Sequence, residues 1–480
     1  GPECAVLTLI NTNRMQPPIA PLGMAYVAAT ARRAGVDVEV LDPCMADDPP
    51  AAIEGHFPGR EPALVGLSFR NLDDSFWPSA RWFVPDLAEQ IAAVRRLTDA
   101  PIVLGGVGYS IHAERTVEAV GADFGIRGDG EEATVRLYRE LTSGRRRFEN
   151  VPGLIWRPDC DGARSNPPAW PDRVSLSTAR NVLDNAAYFR RGGQGGVETK
   201  RGCPRRCVYC ADPLSKGGRV RPRGPAEVAD EFESLAAQGV GVVHVCDGEF
   251  NVPREHALAV CGEMIRRGLG ERVRWYAYMA VTPFDSELAA AMRRAGCVGI
   301  DFTGDAGCDA MLAGYGHPHR RADLAEAVRL CRENGIECMV DLLLGGPGET
   351  RDTAAESVAF LKRIGPDCVG AGVGMRVYAG TPAEGMIRAE GPLEDNPSIR
   401  RRYEGPVDLF RPTFYISHAM GPAPAAMIRD RIDGDPRFFE PADEEDLARG
   451  HNYNDNTSLV RAIARGERGA YWSILRGMRD

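Results

Sequence analysis

Cys203, Cys207 and Cys210 lie in the run Glu198-Thr-Lys-Arg-Gly-Cys203-Pro-Arg-Arg-Cys207-Val-Tyr-Cys210-Ala-Asp-Pro, and no other stretch restricts the fold as tightly. The spacing C-x3-C-x2-C follows an apolar strand-like segment and a glycine turn, so the three side chains leave one loop together. Three thiolates can hold three irons of a cubane cluster and leave the fourth iron open to a further ligand. A structural zinc site is the rival and wants a fourth Cys or His, but none lies within twenty residues on either side. The other ten cysteines (Cys4, Cys44, Cys160, Cys246, Cys261, Cys297, Cys308, Cys331, Cys338, Cys368) are scattered among mostly apolar neighbours. They read as small buried hydrophobes, and without a secretion signal they describe no disulfide framework.

Around this run the chain alternates short apolar segments with helical patterns. In front, strands are expected at Cys4 to Ile10, Val38 to Leu41, Leu64 to Phe69, Pro101 to Leu104 and Gly121 to Ile126. Helices are expected at Leu22 to Ala34, at Phe83 to Leu97 and from Glu131. That rhythm predicts a doubly wound parallel sheet, which binds ligands outside the carboxyl ends of its strands. Residues 141–196 read as a connector with a small hairpin near Gly153 to Arg157. A second series puts strands at Val197 to Lys200, Val242 to Cys246, Val273 to Tyr278, Val298 to Phe302, Glu337 to Leu344 and Cys368 to Met375. Six strand–helix units over 197–382 fit a partial barrel open on one side. Residues 383–480 are irregular and end in a helix near Leu459 to Arg476, as an α-rich cap would. The expected class is therefore α/β, with the front domain at 1–140.

The formal net charge of −9 argues against a nucleic-acid partner. With no run approaching about 18 apolar residues, a membrane span is not expected. Gly1-Pro2 reads as the scar of tag cleavage, and the expected location is the cytoplasm.

The triplet, with Tyr209 just before the third cysteine, resembles the radical S-adenosylmethionine (SAM) superfamily. The resemblance extends from Val197 to about Pro382 and implies a [4Fe–4S] cluster on Cys203, Cys207 and Cys210. It also implies SAM on the open iron and an external electron donor of flavodoxin or ferredoxin type. Carried over residue by residue, it assigns SAM contacts to Tyr209 and to Asp247, Gly248 and Glu249 after the second barrel strand. The remaining SAM contacts would be Asp305 after the fourth strand, Gly346 in Leu344-Gly-Gly-Pro-Gly-Glu-Thr350, and Arg376 after the sixth. Read alone, Asp-Gly-Glu is an acidic turn and Arg376 a surface residue.

A doubly wound domain ahead of such a barrel is similar to the cobalamin-binding group of that superfamily. The matching segments are Pro17-Pro-Ile-Ala-Pro-Leu-Gly23, Leu67-Ser-Phe-Arg-Asn71, Leu104-Gly-Gly-Val-Gly108 and Gly125-Ile-Arg-Gly-Asp-Gly-Glu131. They assign cobalamin contacts to Leu22, Gly23, Ser68, Arg70, Asn71, Gly105, Gly106, Gly108, Gly128 and Glu131. Asn11-Thr-Asn-Arg-Met-Gln16 follows the first strand and supplies no histidine to cobalt, while His56 falls between strands two and three and reads as a loop histidine. Cobalamin is thus expected base-off without a histidine ligand, with Arg70 or Asn71 at its lower face. The alternatives are a degenerate domain kept for packing, and an Arg70 that only pairs with Asp73 or Asp74 at the surface.

The resemblance implies methyl transfer from SAM, by way of methylcobalamin, to a small molecule of natural-product type. Rearrangement, ring contraction, cyclisation or oxidation with the same cofactors stays open. The C-terminal run with Tyr415, His418, His451, Asn452, Tyr453, Asn454 and Asp455 is either a substrate wall or a turn-rich loop before the last helix. Anaerobically reconstituted protein is expected to hold about four irons and four sulfides in this site. Changing Cys203, Cys207 and Cys210 together to Ala should remove them, and iron retained by that triple variant would refute the assignment.

Overall fold

The computed structural model describes residues 5–157 and 162–479; the expected features at Gly1-Pro2, Cys4 and Cys160 lie outside them. The front sheet is built from β1 (Val6–Asn11), β2 (Asp37–Leu41), β3 (Leu64–Ser68), β4 (Ile102–Gly105), β5 (Phe124–Ile126), β6 (Leu154–Trp156) and β7 (Arg164–Ser165). Its order is β2-β1-β3-β4-β5-β6-β7. The first five strands are parallel, and β6 and β7 continue the sheet antiparallel. The hairpin expected in the connector therefore extends the front domain's own sheet.

Apolar residues alternate along these strands and bury both faces. Met24, Ala28, Ala133 and Leu137 of helices Leu22–Arg33 and Glu131–Thr142 cover one face. Leu87, Ile91 and Val117 of helices Val84–Arg95 and Ala113–Val120 cover the other. An unforeseen helix, Pro49–His56, follows β2; Asp48 caps it by accepting from the Ala51 amide at 3.0 Å. His56 is its last residue and no loop histidine; its ring lies 3.2 Å from Glu39.

The second unit has β8 (Gly195–Val197) at one edge. The short pair β9 (Lys200–Arg201) and β10 (Arg221–Pro222) follows, then β11 (Val242–Val245), β12 (Arg274–Met279), β13 (Cys297–Asp305), β14 (Glu337–Leu344) and β15 (Cys368–Val373). Beyond these come β16 (Met375–Arg376), β17 (Ile399–Arg401), β18 (Thr413–Tyr415) and β19 (Phe438–Phe439). The large sheet runs β19-β15-β14-β13-β12-β11-β8, all parallel, and β16-β18-β17 form a small antiparallel sheet.

Three departures from the expected strands and helix have local causes. The strand expected at Val197 to Lys200 stops at Val197, because the Asp247 carboxylate takes the Thr199 and Lys200 amides at 2.8 and 3.3 Å. The strand expected at Cys368 to Met375 breaks at Gly374, which has φ +108°. The last helix is two, Thr457–Ala464 and Tyr471–Gly477, separated at Gly466 with φ +110°.

Even-side and odd-side residues of the barrel strands part cleanly. Val243, Val245, Ala277, Ile300, Phe302, Val340 and Val369 face the outer helices in the main core. Val242, Tyr276, Met339 and Cys368 face inward and meet Phe439, Leu459, Trp472 and Ile474 of the C-terminal segment. An apolar plug thus closes the barrel at that level. Of the ten cysteines read as buried hydrophobes, Cys246 is the correction among the described residues: it is exposed.

The two units are joined by buried ion pairs. Arg376 donates through Nε to Asp73 at 2.8 Å, and the side chains are 4% and 0% exposed. Its other nitrogens bond the carbonyls of Val377, Thr413 and Leu409. Arg376 is therefore neither a surface residue nor free to meet a SAM carboxylate. Removing one member of a buried pair strands the other charge. Arg376→Ala should cost about 3–5 kcal/mol, seen as a lower urea midpoint; a wild-type midpoint would mean that the joint is held elsewhere.

Candidate active site

The cysteine loop hangs from the ends of β8 and β9 and is stapled by backbone bonds. The Cys203 amide donates to Gly217 O at 3.2 Å, the Val208 amide to Tyr315 O at 3.0 Å, and the Cys210 amide to Cys207 O at 3.1 Å. All three thiols are half-buried. Burial pushes each of them up, Cys210 to about 12, and a bound metal favours the thiolates against that effect. No three His, Cys, Asp or Glu side chains among the described residues close on a single ion.

Next to the loop lies the segment after β11. A methyl on Gly248 would lie 3.3 Å from Asp212 and 4.0 Å from Cys203 Cβ, so the 246–249 turn covers the cysteines. Glu249 is buried; Thr303 donates to its Oε1 at 2.8 Å, and its Oε2 has no partner. An orphaned carboxylate oxygen beside three thiols suits the ammonium group of SAM. Asp247, in contrast, is spent inside the protein: Lys200 donates to it at 2.9 Å and Thr199 donates to it through both its amide and its hydroxyl.

Asp305 ends β13 at a register shift, in the left-handed region at φ +57°, a strained conformation for a non-glycine residue. Its carboxylate accepts from the Tyr209 hydroxyl and meets His317 Nε2 at 2.5 Å; His317 Nδ1 lies 4.0 Å from Cys207 Sγ. Gly346 is tightly approached by the protein itself, since a methyl there would fall 2.5 Å from Tyr315 and 2.7 Å from Met375.

A cavity of about 650 Å³ opens between the front sheet's carboxyl edge and the barrel. Leu22, Gly23, Ser68, Arg70, Asn71, Gly105, Gly106, Gly108, Gly128 and Glu131 all line it. The cradle is made by close backbone approach. A methyl on Gly106 would fall 2.4 Å from Phe69 O, and one on Gly108 2.6 Å from Asn71 and Leu72, whereas Gly105 and Gly23 face open space. Glu131 carries a second duty, a bidentate pair with Arg201 at 2.7 and 3.0 Å. Arg70 has no ion-pair partner among the described residues: Asp73 is held by Arg376, and Asp74 by Ser79 and the Arg81 amide. The surface-pair alternative for Arg70 is thereby removed.

The Radical SAM superfamily profile matches residues 197–361, and the B12 binding domain profile matches residues 9–138. The radical SAM methyltransferase TsrM of Kitasatospora setae, solved with tryptophan substrate and the SAM analogue aza-SAM, superposes with a TM-score of 0.91. It is 32% identical over 98% of this chain and 97% of that one. The chain belongs to the cobalamin-dependent radical SAM methyltransferases. Tryptophan 2-C-methyltransferase of Streptomyces laurentii is 28% identical over 97% of this chain and 95% of its own. A second structure of the Kitasatospora setae enzyme, 30% identical with TM-score 0.89 over 99% of this chain and 98% of its own, holds cobalamin and a [4Fe–4S] cluster. The cobalamin-dependent SAM radical enzyme OxsB, 16% identical with TM-score 0.74 over 90% of this chain and 67% of its own, shares the fold.

In this radical SAM methyltransferase several site residues went unread in the sequence. His317 lies in His317-Pro-His319 after a short helix, where no periodicity marks it. His244, Cys246 and Tyr278 face the cavity from β11, the turn after it and β12. Asp301 and Asp341 sit on β13 and β14, pointing into the barrel. A charged residue at the centre of an apolar strand, as in Val-Gly-Ile-Asp301-Phe and Met-Val-Asp341-Leu, is the signal that would have found both. Among the described residues no helix is long and apolar enough to cross a membrane.

Proposed function

We propose that this enzyme methylates an aromatic carbon of a small indole-bearing amino acid, with tryptophan as the first substrate to test. What supports the reading is the one cavity framed by the front-domain loops and the barrel mouth, in a chain similar along its whole length to tryptophan methyltransferases. When bound, SAM and cobalamin supply the methyl donor and its carrier, and the cofactors bring the difficult chemistry.

The protein's part is to hold and shield them. Cys203, Cys207 and Cys210 hold the cluster, and the free oxygen of Glu249 and the 246–249 turn receive SAM. Residues 1–140 hold the corrinoid through the glycine turns, 197–382 carry the cluster and SAM, and 383–480 close the substrate side. The corrinoid would be held base-off, as the resemblance implies, and among the described residues no front-domain histidine lines the cavity to meet its cobalt. Arg70, whose guanidinium has no ion-pair partner among the described residues, would help hold the corrinoid in this cavity and place a fixed positive charge beside it. Electrons come from a flavodoxin or ferredoxin type donor, in the reducing cytoplasm.

Two measurements test this. Reconstituted enzyme given methyl-deuterated SAM, cobalamin and L-tryptophan should yield a product heavier by one labelled methyl. Stoichiometric 5′-deoxyadenosine without methylated product would instead place the enzyme among the rearranging or oxidising radical enzymes. Arg70→Lys should alter the spectrum of bound cob(II)alamin and slow methylation while iron content stays at wild-type level, because an ammonium cannot reproduce the planar fork. An unaltered spectrum and rate would retire Arg70 from the corrinoid site.

A further inference from the structure

Above the apolar plug the barrel interior changes character in one step. Tyr278 and Asp301 are register neighbours on β12 and β13, and Asp341 and Gly370 are neighbours on β14 and β15. Side chains alternate along a strand. Ile300 and Phe302 belong to the outer core, so Asp301 between them points inward; Val340 and Leu342 place Asp341 likewise. Gly370 leaves the room this layer needs, because a methyl there would lie 2.1 Å from Asp341 Oδ1 and 2.7 Å from His451 Nε2. His451 and Tyr453 reach in from the C-terminal segment. His451 Nε2 is 3.3 Å from Asp341 Oδ1, without the alignment of a hydrogen bond.

The layer is built and unsatisfied. Asp301 is 2% exposed, and its Oδ1 has no partner; Asp341 Oδ1 and Tyr453 Oη are also buried without one. Burial, with Asp341, Glu249 and Asp305 as like-charged neighbours, drives the Asp301 carboxyl far above the usual range. A buried carboxyl with no donor and no cation is costly unless something outside the chain supplies the positive charge. Tyr278 and Tyr453 also line the cavity, and the Asp341 side chain behind them is 37% exposed, so the layer borders it. Tyr278 is 37% exposed and feels the charges of both aspartates and of Arg70.

We propose that Asp301 and Asp341 form the amine-binding floor of the substrate site, taking the protonated amino group of an aromatic amine while Tyr278 and Tyr453 flank its ring. This rests on the indole reading above and deepens it. A substrate anchored there by its ammonium lies in the barrel with its ring directed toward the cavity side that holds Arg70. Asp301 and Asp341 act by binding and orienting: the proton that burial keeps on Asp301 in the empty site leaves to solvent as the ammonium takes its place, and none passes to or from the substrate.

The test uses holoenzyme loaded with cluster and cobalamin, with L-tryptophan, tryptamine and indole-3-propionate as calorimetric probes and SAM as control. Wild type should bind the two amines about tenfold or more tighter than indole-3-propionate, the worth of a hydrogen bond to a charged group. Asp301→Asn and Asp341→Asn should abolish that preference while affinity for indole-3-propionate and SAM is retained. Asp301→Asn should also melt no lower than wild type, since it relieves a buried unpaired acid; a carboxyl with a purely structural role would lower the midpoint. A preference absent in wild type, or surviving in both variants, overturns the inference and leaves the indole reading standing. Weaker SAM binding in the variants also overturns it, by reassigning the aspartates to the cofactor. Failure of all three probes to bind the loaded enzyme overturns both readings together.

Discussion

Carboxylates of the front domain reach arginines of the barrel unit at three places, and the cavity exists because these pairs keep the two sheets' carboxyl edges facing each other. Arg376 meets Asp73, Arg201 meets Glu131, and Arg221 meets Asp129. Arg221 is itself fully buried. Such pairs add little net stability, because desolvation offsets most of the attraction. What they add is direction: a bidentate guanidinium tolerates little sliding or rotation. Two domains joined only by apolar contact could shear, and a cofactor gripped by one domain would then lose alignment with chemistry in the other. The Tyr26 hydroxyl, donating to Glu231 at 2.9 Å, adds a fourth fixed point on the same face.

A second anchor sits under the cysteine loop. Lys200 Nζ donates to Asp247 at 2.9 Å and to the carbonyls of Glu249 and Phe250 at 2.6 and 3.3 Å. One ammonium thereby ties the residues entering the cysteine loop to the turn that covers it. The Asp247 carboxyl is held low by Lys200 and Thr199 against the opposing effect of burial. Burial lowers a carboxylate's standing in water but raises the value of each bond it keeps, and here every bond goes to the same corner. This corner is what makes a loop of three thiols, glycine and arginine rigid enough to serve as a cluster site.

How much of this was legible depended on range along the chain. The cysteine triplet declared itself because its members are neighbours, and the glycine turns because each follows a strand that its own pattern reveals. Arg376 misled because an arginine at a strand end looks the same whether it awaits a ligand or a partner, and Asp73 lies 303 residues away. The Asp247 carboxylate is likewise taken up inside the chain, by Lys200 47 residues upstream, a tie that the local pattern does not show. Cys246 was misread because its neighbours are apolar on one face only, and the strand period turns it toward the cavity. Helix Pro49–His56 escaped because the stretch reads only as the loop that carries His56, whereas its prolines sit in a first helical turn, where they are well tolerated.

The apolar plug has a consequence for how the protein is made. β19 and the helices that carry Leu459, Trp472 and Ile474 complete both the edge of the barrel sheet and its floor. While translation proceeds, every strand of the barrel through Val373 is already outside the ribosome, yet its interior stays open to water. It also stays open to any hydrophobic segment that comes near. Sealing waits for β19 and the two closing helices, so a partly made barrel keeps apolar surface bare until they are synthesised, and bare apolar surface favours aggregation. A premature stop after β18 would leave a barrel with its acidic interior exposed and its apolar rim bare, a species more prone to clumping than to acting as a smaller enzyme.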